Sequence, residues 1–420
     1  MQLIAPVLVL LITLAAPCPA QTASAPSQAA IDQALAEARH ALWSTQNASG
    51  RLAARSGEHA LVLLALLHAG ERLSDPRVVR ALLQLDGSAN ASTYDQALRL
   101  MVVDAVRERS ESDSRFFLCE TLLPRAERDL KGLVAAQTES GGWSYDASSR
   151  ARPADNSNTQ YAALGLRAGH ALGFQIPHDT WAKLLRHQIG SSARRGGAGY
   201  ANANGPSVSM TAAVLSTLLV SRARVRLQDP GQRRAEGCIV RHLKYLTEHW
   251  QPGQPASHRH YTLYSLERAM VFAGADRLGE RDWYAEGARW LLDQPRNEGR
   301  WGSSAVATSF AVLFLTRGLR ARGGETLDPV GFLLGKLDPQ SRESEIEAAV
   351  DTVCKMGRAA LPALLPLLES EERVVRKAAV SILRRLVKER GGYDPEESPR
   401  SLENQRAIAR WKEIIDHLPS

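Results

Sequence analysis

The sequence predicts an all-α fold built from repeated helix pairs, and three observations predict it. Strand-like alternation is nearly absent, and long Ala/Leu-rich segments are separated by clusters of Gly, Pro, Asn and Ser. Two kinds of helical segment alternate, one amphipathic and one apolar nearly all round. The apolar kind recurs at a period of about 50 residues. A helix without a polar face must be buried on every side, so the apolar segments form an inner layer and the amphipathic ones an outer layer. Helix pairs at such a period indicate a closed ring or a solenoid, and six pairs are enough to close.

The outer segments are 28–43, a short version at 75–85, 116–136, 178–189, 232–247 and 284–293. The inner segments are EHALVLLALLHAG (58–70), STYDQALRLMVVDAV (92–106), SNTQYAALGLRAG (157–169), SMTAAVLSTLLVS (209–221), HRHYTLYSLERAMVFAG (258–274) and SAVATSFAVLFLTRG (304–318). The loops between them repeat as well. Gln137-Thr-Glu-Ser-Gly141-Gly-Trp143 and Gln294-Pro-Arg-Asn-Glu-Gly299-Arg-Trp301 share a Gln, a Gly and a Trp in one frame. Gln46 to Leu52 keeps that frame with Leu in place of Trp, and Gly197-Ala-Gly-Tyr200 after Gln188 is a looser relative. The Gly permits a positive φ at the reversal, the aromatic covers the end of a helix pair, and the Gln satisfies orphan backbone groups.

On these loops the chain resembles the squalene cyclase and protein prenyltransferase toroid superfamily, over roughly residues 28–321. DNSNTQYAALGL (155–166), YTLYSLERA (261–269), RDWYAEGARWLL (281–292) and ATSFAVLFL (307–315) look like a bacterial exported branch of it. The resemblance implies an (α/α)6 toroid of six inner and six outer helices around a central cavity. Residues 322–341, with Gly323, Gly324, Pro329 and Pro339, read as a linker. Residues 342–420 resemble HEAT repeats in IEAAVDTVCKMG (346–357), AALPALLPLLES (359–370) and EERVVRKAAVSILRRLV (371–387). So few repeats bury too little surface to stand alone, and they are expected to pack on the toroid or on a partner.

Residues 3–16, LIAPVLVLLITLAA, suit the apolar core of a signal peptide, and small Cys18 and Ala20 suit cleavage after Ala20. The expectation is a signal peptide over 1–20, a linker over 21–27 and an exported protein of the periplasm or cell envelope. No integral membrane span is expected after cleavage. Cys119, Cys238 and Cys354 are odd in number and far apart, so no structural disulfide is implied. The net charge of +7 comes from scattered Arg rather than a basic block, which argues against a nucleic-acid partner.

If the inner helices start at one mouth, polar residues gather there: Glu58 and His59, Tyr94 and Asp95, Asp155, Asn156 and Asn158, Ser207 and Ser209, His258, His260 and Tyr261, Ser303 and Ser304. The competing reading is capping, since Ser157-x-x-Gln160 fits a capping box and Asp155 suits an N-cap. The cyclase acid string Asp-x-Asp-Asp, the prenyltransferase zinc frame and the thioester Gly-Cys-Gly-Glu-Gln are all absent. His258-x-His260 with His59, Asp95 or Asp155 has zinc-ligating chemistry, but residues two apart diverge on a helix. No metal or cofactor is therefore expected. The reading adopted is a non-catalytic binding or assembly scaffold, taking a protein partner or a small ligand in the toroid cavity. One alternative is a divergent terpene cyclase-like enzyme with Asp155 as its acid. The other is a glycan-active enzyme using Asp155, Asp95 and Glu58 as separated carboxylates.

Overall fold

The computed structural model describes residues 25–85, 91–113, 116–146, 153–225, 229–253, 258–317, 339–354 and 357–418, together with Val330, Leu334 and Leu337. The expected signal peptide over 1–20, most of the linker over 21–27 and most of the linker over 322–341 lie outside the described residues. So does the side chain of Cys119. The described part is all-α apart from a two-residue strand pair, Arg296–Asn297 with Arg300–Trp301, inside one loop.

The outer helices are α1 (Gln28–Trp43), α3 (Pro76–Leu83), α5 (Phe116–Ala136), α7 (His178–Gly190), α9 (Asp229–His249) and α11 (Trp283–Asp293). The inner helices are α2 (Ser56–His68), α4 (Thr93–Asp113), α6 (Asn156–Ala171), α8 (Val208–Arg222), α10 (Arg259–Phe272) and α12 (Ala305–Leu315). Burial follows the sequence pattern. From Ala60 to Leu67 α2 is buried without interruption, as are Met210 to Ser221 of α8 and Thr308 to Leu315 of α12. On α3 only Val78, Ala81 and Leu82 are buried, one stripe of an amphipathic helix. Each inner helix packs on the next, from α2 through α4, α6, α8 and α10 to α12. The neighbour order does not stop there, because α12 also packs on α2, and α1 packs on α11 and α12.

The loops place each pair on the next. Gly50, Gly141, Gly196 and Gly299 all have positive φ, between 81° and 98°. An added Cβ would meet backbone of the following outer helix: Lys183 O of α7 at 2.3 Å from Gly141, and Arg241 O of α9 at 2.4 Å from Gly196. For Gly299 the blocking atom is Glu37 O of α1, at 2.5 Å. The last loop thus rests on the first helix. Gln137 donates to Gly141 O (2.9 Å) and to Thr180 O in the first turn of α7 (3.0 Å). Gln46 repeats this with Gly50 O and Arg77 O of α3. Gln294 departs from the pattern and bonds back to Trp290 O, because its loop is one residue longer and forms the small strand pair.

The loop tryptophans are pinned twice each. Trp143 donates its indole N–H to Leu133 O and its backbone N–H to Thr159 Oγ1, at 2.8 and 3.0 Å. Trp301 does the same with Leu291 O and Thr308 Oγ1. The Ala198 N–H bonds Thr211 Oγ1, and the Leu52 N–H bonds His59 Nδ1. Buried ion pairing adds a further tie, in which Arg99 of α4 grips Asp129 of α5 and reaches Ser56 Oγ at the start of α2. Burial raises the Asp129 carboxyl, against the pull of Arg99.

The C-terminal residues bury a second apolar cluster, from Val330 to Trp411, separate from the first, which runs from Ile31 to Leu315. The helix Glu343–Cys354 packs on the helix Arg373–Val387. Arg376 is buried and donates to Ser370 O, Glu371 O and Pro395 O, tying the 390s loop to that helix.

The loop geometry predicts that Gly141→Ala lowers unfolding free energy by about 3 kcal/mol, through left-handed strain plus the clash with Lys183 O. Gly173→Ala is the control. It has the same φ of 94° with nothing within 4 Å, so it should cost only about 1 kcal/mol. Urea unfolding of both variants checks the difference.

Candidate functional site

The starts of α4, α6 and α10 converge, and the geometry there rests on helix capping. Asp155 precedes α6 in extended backbone and accepts from Asn158 N–H (2.9 Å) and Asn158 Nδ2 (2.8 Å). Its carboxylate is also in reach of the Ser157 N–H and the Tyr200 hydroxyl. Burial raises its carboxyl above the usual range while these bonds pull it down. Asp95 accepts from Gly57 N–H of α2, from Ser92 N–H and from Ser92 Oγ. Both carboxylates are committed to helix starts. Glu58 is half-buried and pairs with Arg55 at 3.5 Å.

Asn156 donates through Nδ2 to Gly199 O and through its backbone to Tyr200 O, which fixes the α7–α8 loop against α6. Tyr94 and Tyr261 both reach Ser157 Oγ, at 2.7 and 3.1 Å. The Tyr261 hydroxyl and Ser265 Oγ donate to Gln160 Oε1, and Gln160 Nε2 donates to Ser216 Oγ of α8. Around this network Tyr161 contacts the rings of Tyr94, Tyr261 and Tyr264, and Phe310 of α12 contacts Tyr261 and Tyr264. Tyr161, Tyr264 and Phe310 are buried. Deeper on α10, Arg268 is fully buried beside Glu267, with its guanidinium 4.0 Å from the Tyr264 ring centre.

The histidines do not join this group. His59 is fully buried between the Leu52 N–H and Ala81 O, which fixes its ring in the core against the end of α3. His258 is exposed at φ +63° before α10, and His260 lies against Trp290. Among the described residues no three His, Cys, Asp or Glu side chains are placed to hold a metal ion. Among them, too, no helix is long and apolar enough to cross a membrane. Cys238 and Cys354 are free thiols.

The structure therefore gathers Tyr94, Asp155, Asn156, Asn158 and Tyr261, and leaves Glu58, His59, His258 and His260 outside that cluster. Ser216, Ser265 and Tyr145 carried no signal within their own repeat, and Gln160 does not close a capping box with Ser157: Asp155 caps α6, and the Gln160 amide turns to Ser216, Tyr261 and Ser265. One signal was available. Thr159, Thr211 and Thr308 each follow a capping residue by four positions, as His59 follows Arg55, and each takes the loop N–H. No protein-family model matches this chain. No curated protein matches it either.

As a cap, Asp155 should tolerate Asn and not Ala. Asp155→Ala should lose about 2 kcal/mol and Asp155→Asn much less, measured by thermal or urea unfolding. A second expectation concerns His242, buried at 0% exposure with Nε2 3.2 Å from Ser192 Oγ. Burial, then the nearby Arg241 charge, pushes its pKa down to about 3. The unfolded chain takes up this proton near the ordinary value of about 6.5, while the folded chain does not. Folding stability should therefore fall as pH drops from about 6.5 toward 3, by about 1.4 kcal/mol per pH unit from this group. His242→Gln should remove that increment of slope.

Proposed function

We propose that this chain is an exported α/α-toroid repeat protein of the squalene cyclase and prenyltransferase kind, carrying a HEAT-like segment and serving as a non-catalytic binding or assembly scaffold. The observation that carries the scaffold reading is the use of Asp95 and Asp155 as helix caps, which spends the two best-placed acids on backbone N–H groups. Closure into six pairs is supported by the packing of α12 on α2 and by the seat of Gly299 against Glu37 O. The scaffold reading is also supported by the buried rings of Tyr161, Tyr264 and Phe310, packed on one another with Gln160 and Ser265 hydrogen-bonded beside them. Export is supported by the apolar segment 3–16. The ligand class expected on this reading is a protein partner or a small molecule held at the ring.

A second reading is a cyclase-like enzyme. It is favoured by one observation: the Asp155 carboxyl is raised by burial and its charge is felt by Tyr94 and Tyr261, whose ring faces suit a carbocation. No observation favours the glycan-cleaving alternative, because Glu58 pairs with Arg55 while Asp95 and Asp155 are capping groups.

Incubation of the full chain with squalene, followed by mass spectrometry, separates the two readings. The scaffold reading expects no cyclised product. Product that disappears in Asp155→Asn, with helical circular dichroism unchanged, would overturn it.

A further inference from the structure

The loops at Gly50, Gly141, Gly196 and Gly299 share one frame counted from the glycine, and the third departs from it. Two residues after the glycine stand Leu52, Trp143 and Trp301, but Ala198 in the third loop. Eight residues before it stand Leu42, Leu133 and Leu291, all buried, but Gln188 in the third loop, also buried. Four residues before it, Gln46 and Gln137 bridge to the next outer helix, where the third loop has Ser192. On the facing outer helix, the residue after the one beneath the glycine is Ala81, Leu184 or Ala38, but His242 on α9. The first loop keeps the Gln bridge, the last keeps the indole and the second keeps both. The junction where α7 and α8 meet α9 has neither.

Polar groups stand in their place, and they are incompletely bonded. Gln188 is fully buried, and neither its Oε1 nor its Nε2 has a hydrogen-bond partner. The Ser192 hydroxyl donates its one proton to Gln188 O, the carbonyl matching those that accept from the indoles elsewhere. His242 Nε2, 3.2 Å away, therefore donates to Ser192 Oγ, and Nδ1 is left as a buried lone pair with no donor. The charges around His242 do not favour a proton there. Arg241 on α9 itself acts against one, and α8 carries only Arg222, paired with Glu236. On α7, Asp179 pairs with Lys183 and Arg186, and His187 bonds Ser140 O of the preceding loop.

We infer that this junction is an acid-sensitive hinge: on acidification it opens locally, ahead of the other three glycine-loop junctions, with His242 as the group that takes up the proton. Where repeats contact only their neighbours, each junction has a stability of its own, and the least secured segment opens first. Opening lets water satisfy Gln188 and His242, which the closed junction leaves unbonded. It also frees His242 to titrate at its ordinary value of about 6.5, whereas burial and Arg241 hold it down to about 3 when closed. The open form is therefore favoured as pH falls below about 6.5, by about 30-fold between pH of about 7.5 and about 5.

Hydrogen–deuterium exchange of the full chain at those two pH values, corrected for intrinsic exchange, tests this. Protection of residues 191–207 and 238–247 should fall about 30-fold, while residues 137–146 and 294–304 keep theirs. The wild-type comparison alone decides locality. His242→Gln, or His242→Leu as at the matching Leu184, should abolish the difference with helical circular dichroism unchanged. A fall shared by all these segments would make acid opening global and overturn the inference. It is also overturned if residues 191–207 show no fall, or if the fall persists in a folded His242 variant.

Discussion

One contact recurs at four of the loops: Gly50, Gly141, Gly196 and Gly299, all in the left-handed region, lie directly against backbone of an outer helix in the neighbouring pair. At Gly141 and Gly196 the opposing atom is a carbonyl oxygen, too close for any side chain to intervene. This approach sets the rotation from one pair to the next, and the remaining loop features serve it. The tryptophans at 143 and 301 lock the loop to the preceding outer helix through the indole N–H and to the following inner helix through the backbone N–H. Gln46 and Gln137 bridge the loop to the first turn of the next outer helix. Because the same contact joins Gly299 to Glu37, residues more than half the chain apart are held by a rule otherwise local to neighbours.

The consequence for the site is that its polarity is spent structurally. An inner helix buried on all sides has its first N–H groups inside the protein, and they need acceptors. Asp95 accepts from the Gly57 N–H of α2 and Asp155 from the Asn158 N–H of α6, and Ser207 and Ser304 do the same for α8 and α12. Farther in, Gln160 links hydroxyls from α8 and α10, so three inner helices share one hydrogen-bonded knot among stacked rings. A knot of that kind holds the three helices in register.

The helices were legible in the sequence because all-round apolarity is a local property. The inner segments read at 157–169 and 209–221 are α6 at Asn156–Ala171 and α8 at Val208–Arg222. The loop frame was legible for the same reason, with Gln294 departing where one inserted residue changed the turn. The site was less legible. His59 stands near a helix start in sequence, but its position four after the cap turns its ring into the core. Reading Gly197-Ala-Gly-Tyr200 as a loose copy of the Gln–Gly–Trp frame misses by two residues: Ala198, bridged to Ser207, takes the place that Trp143 holds opposite Asp155, and Tyr200 matches Tyr145. The Arg99–Asp129 pair joins α4 to α5 by charges 30 residues apart, a partnership that no helical spacing encodes.

Closure of the helix pairs into a ring is the central claim of the proposed architecture, and hydrogen–deuterium exchange on Gly299→Ala tests it most directly. If the last loop seals against the first helix, amides of α1 and α2 should lose protection together with those of α11 and α12. Loss confined to α11 and α12, with α1 and α2 exchanging as in the wild type, would contradict closure and describe an open superhelix instead.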